Sequence, residues 1–170
     1  DRDTVVFDDV RTPYETRGAL RANRGGTVRM SEETVDLNAP AAAILSNGEL
    51  CDILSGTGEN RLTLAQACLT RRTADSLRAP QGIFAFVSSE GRTFSLTEAP
   101  FYEKGVRYAA QPGHDSMRYL CRTEELHCSI DVALHESLPV ERRTVSVKNA
   151  SAAKRDVELL IYFEPILRGY

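Results

Sequence analysis

The chain has 170 residues, a length that suits one domain with a core of its own. Its formal net charge of −3 and isoelectric point near 5.7 argue against a nucleic-acid partner, because neither indicates a basic surface. No apolar run approaches the ~18 residues of a membrane-spanning helix. The first residues, DRDTVVFDDV, also lack the basic and apolar regions of a signal peptide. These features favour a cytoplasmic location.

The N-terminal segment, residues 1–39, is expected to hold a short helix and a strand. Thr12-Pro13-Tyr14-Glu15 has the spacing of a capping box, with proline at the first helical position. A short helix would then run up to Gly25-Gly26.

The stretch ILSNGELCDILSGTGENR, residues 44–61, has two glycine turns around a short apolar run. It can be interpreted as a phosphate-binding loop or as a strand between two turns. A phosphate loop needs its glycines between a strand and a helix, and it usually carries a lysine that is missing here. The residues after Gly58 favour a strand, so we interpret the glycines as corners of β-turns.

Residues 40–170 are predicted to form an antiparallel β-sandwich domain. In Leu126–Leu134 apolar residues alternate with mostly polar ones, which is the pattern of a half-buried strand. The segment Val157–Phe163 and the residues around Val145 and Val147 repeat this pattern, and Glu90-Gly91 separates the two arms of a predicted hairpin. Short polar loops between successive strands favour an all-β antiparallel sandwich over βαβ units.

The four cysteines, Cys51, Cys68, Cys121 and Cys128, contain no Cys-x-x-Cys pair, so neither a zinc site nor a redox site is indicated. We expect buried thiols in a reducing compartment. If a two-residue loop, Glu124-Glu125, joins two strands, Cys121 and Cys128 are direct cross-strand neighbours on the apolar face.

The histidines and carboxylates indicate no metal site, cofactor or catalytic residue. His127, Asp131 and His135 share one face of one predicted strand, where residues four apart lie ~13 Å from each other. One strand therefore cannot gather them around an ion.

The aromatic residues Phe101, Tyr102 and Tyr108 lie beside charged residues. Such rings can stack on sugars, and they can also cover the edge of a core. We keep them as candidate carbohydrate contacts.

Two stretches resemble a known family. APAAAILSNGELCDILSGTG, residues 39–58, is similar to the proline, Asn-Gly and Gly-x-Gly pattern near the start of the inverting glycoside phosphorylases. LPVERRTVSVKNASAAKRDVELLIYFEPILR, residues 138–168, is similar to a longer segment of the same proteins. This family, formerly glycosyltransferase family thirty-six and now the ninety-fourth glycoside hydrolase family, includes cellobiose and chitobiose phosphorylases and cyclic β-1,2-glucan synthases.

The resemblance implies an N-terminal β-supersandwich, similar in fold to galactose mutarotase. A separate helical domain carries catalysis in that family, so no catalytic residue transfers to this chain. Two departures from the pattern are Ala41–Ala43 after the proline and Glu59-Asn60 after Gly-x-Gly, and both weaken a sugar-contacting role for that end of the sandwich. A glucan synthase parent would place the domain at the cytoplasmic side of the inner membrane.

The resulting hypothesis is a non-catalytic domain that supports a helical catalytic domain and contacts an oligosaccharide or β-glucan. The alternatives are a stand-alone carbohydrate-binding module and a mutarotase-like epimerase, which would need a histidine and a carboxylate to converge.

The resemblance also implies that the chain is a partial domain, with further strands beyond Val157–Phe163. That strand would then lie at an open sheet edge, and a second copy would pair with this edge or cover the adjoining apolar face, giving a homodimer. Alternatively, Thr4–Phe7 fills the gap and the chain closes a smaller sandwich.

Overall fold

The computed structural model describes residues 4–7, 42–65, 67–71 and 79–166; for residues 4–7 it gives the backbone only. Twelve strands, numbered in chain order, are formed by these residues. They are β1 (Thr4–Phe7), β2 (Ala42–Ser46), β3 (Leu50–Ser55), β4 (Asn60–Leu64), β5 (Ala67–Cys68), β6 (Ile83–Ser89), β7 (Arg92–Ser95), β8 (Arg107–Pro112), β9 (Ser116–Arg122), β10 (Leu126–Leu134), β11 (Glu141–Asn149) and β12 (Glu158–Phe163).

The strands form three antiparallel sheets, which confirms the all-β prediction. A five-stranded sheet has the order β1-β11-β10-β9-β8, a four-stranded sheet the order β2-β3-β4-β5, and a three-stranded sheet the order β12-β6-β7. None of the described residues belongs to a helix that could cross a membrane. The short helix predicted near the N-terminus lies outside the described residues.

The core lies between the inward face of the five-stranded sheet and the other two sheets. Its buried side chains come from β2, β3, β6, β7, β9, β10 and β11. β10 follows the predicted alternation, with Leu126, Cys128, Ile130 and Val132 buried and the residues between them partly exposed. Burial of the apolar stripes on these strands is the main stabilising contribution to the fold.

The predicted pairing of Cys121 with Cys128 is confirmed, whereas Cys51 is only partly buried. Cys121 and Cys128 are direct partners between β9 and β10, and both are buried. Burial, with a smaller contribution from Cys128, raises the pKa of the Cys121 thiol, and burial raises that of Cys128 to about 12. Both therefore stay protonated at neutral pH.

The two glycine turns are also confirmed. Gly48 and Gly58 have φ angles of +93° and +101°, which favour glycine. At Gly58 a Cβ atom would come within 2.3 Å of the Thr97 side chain, so this turn packs closely against the loop after β7. β4 follows directly, and no helix begins there.

β12 pairs with β6 and, among the described residues, has no partner on its other side. The alternative in which Thr4–Phe7 fills this gap is wrong, because β1 pairs with β11. The homodimer remains a prediction.

Candidate functional site

The three-stranded sheet is apolar on both faces. Ala85 and Val87 of β6 point into the main core, whereas Phe84 and Phe86 point to the opposite face and are buried there with Ala99. In the register between β12 and β6, Leu160 pairs with Phe86 and Tyr162 pairs with Phe84. Cross-strand partners share a face. We call this surface the aromatic face; it consists of Phe84, Phe86, Phe101, Leu160 and Tyr162.

Much of the aromatic face is open to solvent. Leu160, Phe101 and Tyr162 are 61%, 51% and 46% exposed. The Phe101 ring lies 5.1 Å from the Phe86 ring, centroid to centroid, at an angle of 41°. Phe101 therefore packs against the sheet on one side and presents its other side to solvent.

The loop that carries Phe101 and Tyr102 is held by hydrogen bonds around Ala99. The hydroxyls of Ser95 and Thr97 donate to the Ala99 carbonyl at 2.9 and 2.8 Å, and the Ala99 amide donates to Thr57 at 2.8 Å. Tyr102 is 45% exposed and has a φ of +50°, an uncommon conformation for a tyrosine. Its amide donates to the Glu98 carbonyl at 2.8 Å, which closes the turn.

The structure brings Phe101 and Tyr102 together and places Tyr108 elsewhere. Tyr108 lies on β8, half-buried against the main core, and its hydroxyl donates to the Ser95 carbonyl at 3.2 Å. Burial raises its pKa. Carbohydrate contact remains a prediction for these three residues, and the exposed rings of Phe101 and Tyr102 suit it better than the hydrogen-bonded Tyr108.

A shallow cleft borders Tyr162. Its lining includes Arg71, Pro80, Gly82, Tyr162 and Glu164. Arg71 Nη1 forms an ion pair with Glu164 Oε2 at 2.8 Å, and the Tyr162 hydroxyl donates to the other oxygen of Glu164. The hydrogen bond from Tyr162, followed by that from Arg71, lowers the pKa of Glu164. An aromatic ring beside a carboxylate and a guanidinium can bind a sugar, because a pyranose has an apolar face and a hydroxylated rim.

A buried cluster of polar side chains connects all three sheets. We call it the junction cluster; it consists of Asp52, Asn60, Glu141 and Arg143. The Asn60 amide donates to both Asp52 oxygens at 2.8 and 3.0 Å. Arg143 donates from Nε to Glu141 at 2.5 Å and from Nη1 to the Ile83 carbonyl at 2.7 Å. Ile83 in turn donates its amide to Asn60 at 2.8 Å.

Two carboxylates share one cation in this cluster. Arg143 Nη2 lies 3.7 Å from Asp52, which is fully buried. Burial, and then the neighbouring Glu141, raise the pKa of Asp52 to about 8, although Asn60 and Arg143 oppose the shift. Glu141 Oε2 is buried and accepts no hydrogen bond from a described group. A proton on Asp52 would supply that missing donor.

The junction cluster is structural. A carboxyl group with a pKa near neutrality is typical of acid–base catalysts, but such a group must reach its substrate. Asp52 has no exposed surface. Sequence reasoning missed this cluster, although the alternation through Val145 and Val147 already places Arg143 and Glu141 on the inward face of β11.

The three histidines do not converge. His127 is on the outward face of β10, His114 is in the exposed turn before β9, and His135 Nδ1 accepts two backbone amides at 3.2 Å in the turn after β10. This arrangement offers no support for the mutarotase-like alternative.

The profile of the family described as "Glycosyl hydrolase 94, supersandwich domain" matches residues 26–169. Among characterised proteins, "Cyclic beta-(1,2)-glucan synthase NdvB" of Rhizobium meliloti (strain 1021) is 25% identical over 142 residues. The alignment covers 82% of this chain and 5% of the synthase, so the chain spans a small part of that relative. Because the profile extends over most of the chain, and the described strands form antiparallel sheets around one core, the chain belongs to the glycosyl hydrolase 94 family and carries its supersandwich domain.

Proposed function

We propose that this domain supports the helical catalytic domain of a larger enzyme and performs no chemistry itself. Its family makes it a domain of a carbohydrate-active enzyme. The similarity to a cyclic glucan synthase favours a parent of that type over a glycoside phosphorylase. Asp52, whose pKa of about 8 lies near neutrality, is fully buried, which supports a non-catalytic role.

We further propose that the domain contacts neutral glycan through Phe101 and Tyr102. The observation that carries this proposal is the pair of half-exposed rings on a loop fixed by the Ala99 hydrogen bonds. A rigid ring loses little conformational entropy when a sugar stacks on it. The cleft beside Tyr162 adds hydrogen-bonding groups on the same face of the sheet.

A cytoplasmic location, or the cytoplasmic side of the inner membrane, is part of this proposal. All four cysteines are free, and two of them are direct neighbours on adjacent strands. Neighbouring thiols of this kind are typical of a reducing compartment.

The test is calorimetric titration of the chain with neutral β-1,2-glucan and cello-oligosaccharides. Tyr102→Ala should weaken glucan binding by about fivefold to tenfold, because aromatic stacking contributes about 1 kcal/mol. Ile53→Ala, an exposed apolar residue on another sheet, is the matched control. Equal affinity for wild type and Tyr102→Ala, or no glucan binding at millimolar concentration, would refute the contact.

A further inference from the structure

The outward face of the five-stranded sheet carries four basic side chains in direct cross-strand register. Arg107 on β8 pairs with Arg122 on β9. Arg122 also pairs with His127 on β10, and His127 pairs with Lys148 on β11. Adjacent strands lie ~4.8 Å apart, so the line crosses four strands over roughly 15 Å. We call these four residues the basic row.

Nothing in the described chain neutralises the basic row. The acidic side chain on this face is Asp131, which already pairs with Arg118 at 2.5 Å. Arg107, Arg122 and Lys148 form no ion pair with another described residue. Like charges directly opposite each other destabilise a sheet. This repulsion is concentrated on one face of a chain whose net charge is −3.

The positive charge of the basic row affects the pKa of His127. Burial lowers its pKa, and the charges of Arg122, Lys148 and Arg107 lower it further. These three cations lie on β9, β11 and β8, the other strands that carry the row. No described carboxylate counteracts their effect on the pKa of His127. An anion bound on the row would oppose the part of the shift that these cations cause.

The rest of this face is mostly polar. From β8 to β11, Leu120 is the one large apolar side chain among the outward residues. Ser129 and Ser146 lie in the next register row and offer hydroxyl donors. The face lacks the aromatic platform that single-stranded nucleic acids use, the apolar side chains that insert into bilayers, and the apolar centre of a protein interface.

We propose that the basic row binds the phosphate or carboxylate groups of an acidic glycan. Arginine favours such groups because its planar guanidinium can donate two parallel hydrogen bonds to one oxyanion. A glycan is preferred over other polyanions because the chain belongs to a carbohydrate-active family and, from β8 to β11, Leu120 is the one large apolar side chain on this face. The inference goes beyond the proposed function, which concerns neutral sugar on the aromatic face of a different sheet.

The test compares one glucan in three forms of equal length: neutral, carboxymethylated and phosphorylated. The full chain should bind at least one charged form more tightly than the neutral form, and the difference should shrink as salt rises. The double variant Arg122→Gln with Lys148→Gln should lose about tenfold in affinity for that charged form and keep its affinity for the neutral one. Arg61→Gln on β4, an exposed arginine of another sheet, is the matched control.

A second readout is the titration of the His127 imidazole followed by NMR. The bound acidic glucan should raise its pKa, and inorganic phosphate tests whether the oxyanion alone is enough. Equal binding of neutral and charged glucan, or unchanged affinity of the double variant, would overturn the proposal. So would tighter binding of polyglutamate or of anionic phospholipid vesicles, because the partner would then be a protein or a membrane. Loss of neutral-glucan binding in Tyr102→Ala tests the proposed contact through the Phe101–Tyr102 loop separately.

Discussion

A single proton decides the charge balance of the junction cluster. With Asp52 protonated, Glu141 and Arg143 carry opposite charges and the cluster is neutral. With Asp52 ionised, one guanidinium faces two carboxylates in a buried region. A buried charge without its own partner is costly, so the folded protein retains the proton well above the usual pKa of an aspartate.

We expect the free energy of unfolding to fall as the pH rises from about 4 to about 8. In this window Asp52 loses its proton in the unfolded chain and keeps it in the folded one, so the proton favours the folded state less as pH rises. Asp52→Asn removes this dependence, because its amide can donate to Glu141 while its oxygen accepts from Asn60. Relative to wild type, the variant should gain a few kcal/mol between pH 4 and pH 8, measured by urea denaturation.

Asp52→Ala is the control for this prediction. It leaves buried groups of Asn60 and Glu141 without partners and should cost about 2–4 kcal/mol already at pH 5. If Asp52→Asn is destabilised as strongly as Asp52→Ala at both pH values, Asp52 does not share a proton in the folded state.

For single residues, the apolar alternation in the sequence predicted the buried apolar side chains well and the buried polar side chains poorly. Tyr119, Cys121, Cys128 and Ile130 are buried as the period-two pattern requires. The junction cluster could not be predicted in the same way, because its members come from β3, β4 and β11. Their contacts depend on how three sheets meet, and local sequence carries no signal for that.

Among the strands, β12 has the most exposed apolar surface. Leu160, Ile161, Tyr162 and Phe163 are each at least 40% exposed, and no charged residue interrupts Leu159–Phe163. Sheet edges are usually protected by lysine, proline or a bulge. The sequence predicted a strand here with both faces apolar, and the structure places it beside β6.

We expect the chain to self-associate through the open side of β12, with a second copy as partner. Ile161→Lys should abolish this association, because a lysine on an edge strand opposes further pairing. Ile53→Lys introduces the same change on β3, which is paired on both sides, and should leave association intact. Light scattering over a range of concentrations measures the effect. A wild-type chain that stays monomeric at high concentration contradicts the prediction.

For the whole molecule, we expect no turnover of sugar substrates by the isolated chain. Phosphorolysis needs a carboxylic acid that can reach the glycosidic oxygen of a bound sugar, and Asp52, whose pKa of about 8 would suit an acid, has no exposed surface. Incubation with phosphate and either cellobiose or β-1,2-glucan should release no glucose 1-phosphate. Phosphate-dependent release that scales with chain concentration would show that the chain itself is catalytic.

The fold class followed from strand spacing and turn residues, and the family from two short segments. The division of the strands into three sheets could not be predicted from the sequence, because β6 pairs with β12, which is distant in the chain. Local patterns define strands and hairpins, whereas such long-range pairings depend on how the whole core closes. Of the residues proposed here to lie at a glycan contact, the sequence named Phe101 and Tyr102 as candidates and did not name Tyr162.

The pairing of β1 with β11 has a consequence for how the protein folds. Val5 pairs with Val147, so these two neighbouring strands are separated in sequence by almost the entire described chain. Closing so long a loop costs entropy before any contact repays it, and folds rich in such contacts are slow to form. During synthesis the first strand emerges long before its partner exists. β1 can therefore join the five-stranded sheet only after β11 has left the ribosome, and until then β1 is without this partner and remains available to other chains.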